Sequence, residues 1–219
     1  MNTERLQLLD HLIKEDWLKT PRIIEAFRSI KREDFVREET KPLAYFDEAL
    51  PIGLNQTISQ PSVVAFMLEE LEPQEGERIL DVGAGSGWTS TLLAVIVGPK
   101  GKVIALDIVP GIAEFGRNNV AKYNFIEKGT VEYHCQDGNK GYPSYAPFDR
   151  ILVSAALPQK KLPGAWKGQL RIYGKIVVPF QDTIWVLTKT GEKEFAATGE
   201  PHQGWEEKEY PGFVFVPFV

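Results

Sequence analysis

From residue 76 onward, apolar runs of strand length alternate with helical stretches, and this alternation leaves few folds open. Arg78–Val82, Lys102–Asp107, Thr130–His134 and Phe148–Val153 read as strands. Trp88–Val97, Ile112–Tyr123 and a segment at 161–170 read as helices, with the turn Gly98-Pro99-Lys100-Gly101 after the first. Strands linked through helices pair in parallel and need cover on both faces. Lys175–Pro179, Thr183–Thr188 and Phe213–Pro217 read as closing strands, the last two antiparallel. The expected fold is α/β: a doubly wound, mostly parallel seven-stranded sheet.

The segment before it has helical periodicity. Leu6, Leu9, Leu12, Ile13 and Trp17 recur every three or four residues within a helical region reaching to about residue 40. Thr20-Pro21 reads as an N-cap and first-turn proline, with Ile23, Ile24, Phe27 and Ile30 as the buried face. Residues 41–60 lack a clear period and predict an ordered loop with a short strand. Pro61 opens another helix, with Val64, Met67, Leu68 and Leu71 on one side. The expected division is a helical N-terminal extension over 1–75, carrying the loop, and a ligand-binding domain over 76–219.

Composition removes several function classes. A net charge of −5 gives no basic field, so nucleic acid is not the expected partner. No apolar run approaches the length of a membrane span, and the charged N-terminus lacks a signal-peptide pattern. The single cysteine, Cys135, rules out an internal disulfide framework. A monomeric cytoplasmic protein without membrane attachment is expected.

Asp81-Val82-Gly83-Ala84-Gly85-Ser86-Gly87 lies between a strand and a helix. Glycines permit a sharp turn and close ligand approach, and the helix start presents free N–H groups. The third glycine comes one residue too early for the dinucleotide pattern, which counts against NAD. Asp107 ends the second strand, where an acid can accept from both hydroxyls of a ribose; the lesser alternative is a cap for the helix that follows. Asp137-Gly138 follows the third strand, where an adenine would lie; it is also an ordinary turn dipeptide. Three features at successive strand ends converge on one crevice and read as an adenosine pocket.

These residues resemble class I S-adenosylmethionine methyltransferases, whose sheet is Rossmann-like. Asp47-Glu48-Ala49-Leu50-Pro51-Ile52-Gly53 and Gln56-Thr57-Ile58-Ser59-Gln60-Pro61 resemble the signature of protein-L-isoaspartate O-methyltransferases. The resemblance continues at Ala146-Pro147-Phe148-Asp149, at Ser154-Ala155-Ala156-Leu157-Pro158 and at Phe213–Val219. It implies methyl transfer from S-adenosylmethionine to the α-carboxylate of an L-isoaspartyl residue in a damaged protein, leaving S-adenosylhomocysteine. The ester would collapse to a succinimide whose hydrolysis returns some normal aspartate. It further implies Ser59 as the catalytic residue, with Thr57, Ile58 and Ser59 on the cofactor beside Asp81, Gly83, Ala84, Gly85, Gly87, Asp107, Asp137 and Gly138. Two positions depart from the pattern: Asn55 stands where glycine is usual, and Ser154 where threonine is usual.

A carboxylate is already ionised at neutral pH, so attack on a sulfonium methyl needs no general base. It needs positioning and partial desolvation. His11, His134 and His202 form no catalytic pairing, and no metal spacing is present, so no metal is expected. Ser59 therefore reads as a hydrogen-bond donor rather than a covalent nucleophile, although a cap for the helix at Pro61 is a compatible role. The backbone of 213–219 is a candidate for gripping an extended peptide by strand addition. The alternatives are a methyltransferase acting on RNA, a small molecule or a modified peptide, and a non-catalytic S-adenosylmethionine-binding module.

Overall fold

The computed structural model describes residues 3–195 and 201–218. Helix α1 (Thr3–Lys14) and α2 (Pro21–Ser29) lead through two short 3-10 turns to a hairpin of β1 (Leu50–Gly53) and β2 (Gln56–Ile58). Then come α3 (Pro61–Leu71), β3 (Arg78–Val82), α4 (Trp88–Val97), β4 (Lys102–Asp107) and α5 (Pro110–Ala121). The chain continues through β5 (Val131–Cys135), β6 (Phe148–Val153), α6 (Gly164–Gln169), β7 (Leu170–Phe180), β8 (Thr183–Phe195) and β9 (Pro201–Pro211). The main sheet runs β5-β4-β3-β6-β7-β8-β9. Its first five strands are parallel, while β8 and β9 are antiparallel additions. The fold is the expected seven-stranded Rossmann-like arrangement.

The apolar runs are explained by burial on both faces. In β4 each of Val103 to Leu106 is fully buried; Val103 and Ala105 face one core, Ile104 and Leu106 the other. The first core also takes Leu9, Leu12, Ile23, Phe27 and Leu68, so the N-terminal helices share one continuous interior with the sheet. The second collects Trp166, Leu170 and Phe180. β3 lies between β4 and β6, so the chain departs in opposite directions from the middle of the sheet. That switch point opens a crevice at the strand ends.

Several expectations are corrected. The closing strand is β9, at 201–211; residues 212–216 belong to no strand, and Pro217 makes only an isolated bridge to Ala156. β9 is an edge strand, so exposed Glu206, Glu207, Lys208 and Glu209 replace the apolar alternation that marks inner strands. Val219, the end of the closing segment, and the first two residues lie outside the described residues. Leu6 and Ile13 of α1 are exposed, and Arg5 joins Leu9 and Leu12 on the buried side. Thr20 precedes Pro21 as expected, but its hydroxyl donates to Glu69 of α3 instead of capping α2.

Candidate active site

The glycine turn is held open from below. Gly83 and Gly85 adopt φ of +71° and +56°, values that disfavour a side chain. The amides of Gly83 and Ala84 donate to Leu106 O, locking the turn to the neighbouring strand end. Gly87, also left-handed at φ +82°, serves helix packing as well. A Cβ there would stand 2.7 Å from Gly116 O, so the glycine lets α4 approach α5. Asp81 is fully buried behind the turn; its Oδ2 accepts from Thr89 Oγ1 at 2.8 Å and Ser90 Oγ at 2.6 Å, while Oδ1 has no partner. Burial pushes its pKa up to about 6, against the two hydroxyl donors that favour the anion.

Asp107 spans the crevice floor. One oxygen accepts from Gly85 N–H and the other from Val109 N–H, each at 3.0 Å. A carboxylate has about four acceptor sites, so half remain for a ligand. Burial raises its pKa and the two amides oppose the rise. It lines two adjoining cavities. One is walled by Thr57, Ile58, Ser59, Gly83, Ala84 and Gly85. The other is walled by Gln136, Gly138, Ile108, Val109, Pro217 and Phe218. Asp137 spends its Oδ1 on the Asn139 N–H, and Gly138 O accepts from Trp166 Nε1 at 2.7 Å.

Ser59 arrives from the opposite wall. The β1–β2 hairpin turns through Leu54 and Asn55 at φ of +52° and +59°, a left-handed geometry that glycine adopts freely and asparagine tolerates. Beyond it, Thr57 and Ser59 line both the first cavity and a neighbouring groove floored by Trp17, Val63 and residues 211–216. Ser59 is not the cap of α3. Asp47 Oδ1 accepts the Ser62 N–H at 2.8 Å and fills that role. The Ser59 backbone is held by Arg32, which is buried and donates to Ala44 O (2.7 Å), Glu48 O (2.8 Å) and Ser59 O (3.1 Å). Its guanidinium also lies 5.2 Å from the ring centre of Trp88, another wall of the first cavity.

Thus Thr57, Ile58, Ser59, Gly83, Ala84, Gly85, Asp107 and Gly138 meet at one cleft, whereas Asp81, Gly87 and Asp137 stand behind it. Sequence reasoning missed the supports. Tyr133 OH donates to Gly85 O at 2.8 Å, Asn119 Nδ2 donates to Ser86 O at 3.1 Å, and Arg32 braces the hydroxyl loop. Tyr133 carried one usable signal, an inward position on a strand whose neighbours Glu132 and His134 are polar.

Residues 3–205 match the family described as protein-L-isoaspartate(D-aspartate) O-methyltransferase. The chain belongs to this family. It is 37% identical to the protein-L-isoaspartate O-methyltransferase of Methanopyrus kandleri, covering 98% of this chain and 91% of that one. The corresponding enzyme of Ignicoccus hospitalis is 38% identical, covering 100% and 99%. In shape the chain matches a solved Plasmodium falciparum structure, described as a putative protein-L-isoaspartate O-methyltransferase in complex with S-adenosyl-L-homocysteine. The TM-score is 0.84 at 20% identity, over 100% of this chain and 99% of that one. Within this family the cleft has two sides, the glycine-turn cavity and the adjoining groove, which share Thr57 and Ser59.

Proposed function

We propose that this protein transfers a methyl group from S-adenosylmethionine to the α-carboxylate of L-isoaspartyl residues in damaged proteins, with Ser59 at the point of transfer. The observation that carries the reading is the sharing of Thr57 and Ser59 between the glycine-turn cavity and the groove. The residues fit the cofactor. Asp107 has acceptor sites left for ribose hydroxyls, Ile108 and Phe218 offer apolar contact for the adenine, and Asp81 Oδ1 is a buried acceptor still lacking a donor. Bound there, S-adenosylmethionine supplies an electrophilic methyl on a sulfonium.

The chain's own part is positional. Ser59 donates a hydrogen bond to the incoming carboxylate without taking its charge, while Arg32 keeps the Ser59 backbone in place. The walls displace water from the nucleophile as the peptide seats. We assign residues 1–75 to the extension that carries this loop and 76–219 to the cofactor-binding domain. The acidic balance counts against a nucleic-acid substrate, and the lone cysteine supports a reducing, cytoplasmic setting; the enzyme is further proposed to be a monomer. Among the described residues no helix is long and apolar enough to cross a membrane.

The test uses labelled S-adenosylmethionine with paired peptides containing L-isoaspartate or L-aspartate. Base-labile label is expected on the isoaspartyl peptide alone; equal labelling, or none, refutes the substrate. Ser59→Ala should lose turnover while keeping most cofactor affinity by calorimetry. Loss of that affinity would make Ser59 a cofactor residue instead.

A further inference from the structure

Four residues line both the cofactor-side cavity and the groove: Thr57, Ser59, Ser154 and Val216. They mark the passage between the two. Thr57 and Ser59 come from the hairpin, whereas Ser154 stands at the tip of β6 on the sheet side. Its backbone is fixed. Ser154 N–H donates to Val82 O at 2.9 Å, extending the β3–β6 pairing by one residue. Two residues on, Ala156 N–H donates to Val216 O at 2.8 Å and its carbonyl accepts from Phe218 N–H at 2.9 Å. Between them, Ala155 sits against Gly83, where an added Cβ would be 3.5 Å from its own. Ser154 is thus clamped between the glycine turn and the C-terminal wall of the groove. It is half-buried at the passage, with a hydroxyl that takes no part in this bonding.

We propose that Ser154 is a second substrate-holding residue, its hydroxyl donating to the isoaspartyl α-carboxylate from the side opposite Ser59. This rests on the reading of the groove as the substrate site. A carboxylate that attacks through one oxygen can still accept donors at its other oxygen and at the remaining lone pair of the first. Two donors on rigid, facing supports fix the direction of the attacking lone pair, which a single rotatable hydroxyl cannot do. No proton is transferred. The carboxylate oxygen forms the bond to the methyl carbon as the carbon–sulfur bond breaks, and that electron pair leaves with the sulfur.

The test compares Ser154→Ala, Ser154→Thr and Ser154→Val. Threonine and valine share a shape and differ in the hydroxyl, and both suit a strand tip. With an isoaspartyl peptide, kcat/KM should fall roughly ten- to a hundredfold in the alanine and valine variants, the range for a lost hydrogen bond to a charged group. Ser154→Thr should stay within about threefold of the unaltered protein. Cofactor Kd by calorimetry should stay within about twofold in all three, which also reports intact folding. Equal kcat/KM for the threonine and valine variants would overturn the role, as would a cofactor Kd that weakens in step with kcat/KM. Failure of the unaltered protein to methylate the isoaspartyl peptide would instead refute the substrate reading, and this role with it.

Discussion

Asp81→Asn should stabilise the unliganded protein above neutral pH while weakening its hold on the cofactor. The carboxyl is fully buried, with two hydroxyl donors on Oδ2 and none on Oδ1. Burial raises its pKa from 3.8 to about 6, so the folded state binds this proton more tightly than the unfolded chain. Stability from this group therefore falls as pH rises from about 4 to about 6, and the loss is complete above that range. At 1.36 kcal/mol per pH unit, the loss is about 3 kcal/mol. An uncharged amide avoids it but brings its own unmet donors, leaving a net gain of roughly 1–2 kcal/mol. For a chain of this length that raises Tm by on the order of 2–8 °C at pH 8. The same charge is what a cofactor's ammonium would use. In the unaltered protein, affinity measured calorimetrically from pH 8 to 5 should fall more steeply below pH 6 than in the asparagine variant. The difference in slope should approach tenfold per pH unit. Asp107, whose pKa burial also raises, repels the Asp81 carboxylate and is present in both proteins, so its own pH dependence adds to both curves. Equal slopes, or a lower Tm for the variant at pH 8, would refute the reasoning.

Two further substitutions probe the supports. Arg32→Met removes three bonds to main-chain carbonyls but also relieves the burial that lowers the arginine pKa to about 10. The net should be a loss of about 2–4 kcal/mol in denaturant titration, with kcat falling more than cofactor affinity and Arg32→Lys recovering part of both. An unchanged kcat in a folded Arg32→Met protein would remove Arg32 from the site. Gly116→Ala would place a Cβ over Gly85 O and 2.5 Å from Tyr133 OH, displacing the glycine turn. Stability should drop by about 1–3 kcal/mol and cofactor affinity at least tenfold by calorimetry. Unaltered affinity would show that the turn tolerates the shift.

The parallel core was legible because burial on both faces leaves uninterrupted apolar runs. β3, α4, β4 and β6 occupy the residues their hydrophobicity and flanking glycines indicate. β9 was not, since an edge strand facing solvent is written in glutamates and lysines. The lining residues of the cleft were legible where backbone geometry demands a residue type, as at Gly83 and Gly85, or where a charge ends a strand, as at Asp107. Arg32 was not, because its partners are carbonyls at 44, 48 and 59, which any residue provides, so the bracing leaves no pattern in side chains. The same holds for Tyr133, whose partner is Gly85 O.

The arrangement also bears on how a normal aspartate would be refused. Its carboxylate carries the same charge as an isoaspartyl α-carboxylate, so attraction cannot separate them; only the path from carboxylate to peptide backbone differs. That path must be measured between two fixed points. The passage residues Ser59 and Ser154 give one, and the wall at 212–216 gives the other. Both are anchored: Ser154 to the sheet through its bond to Val82, Ser59 to the 44–48 loop through Arg32, and the wall through Ala156 and through Asp182 O, which accepts from Gly212 and Phe213 N–H. A site that tells the two carboxylates apart by distance needs rigid walls more than it needs charge. On the proposed function, the main-chain bonds behind the cleft would hold these two points apart and so carry the discrimination between the two carboxylates.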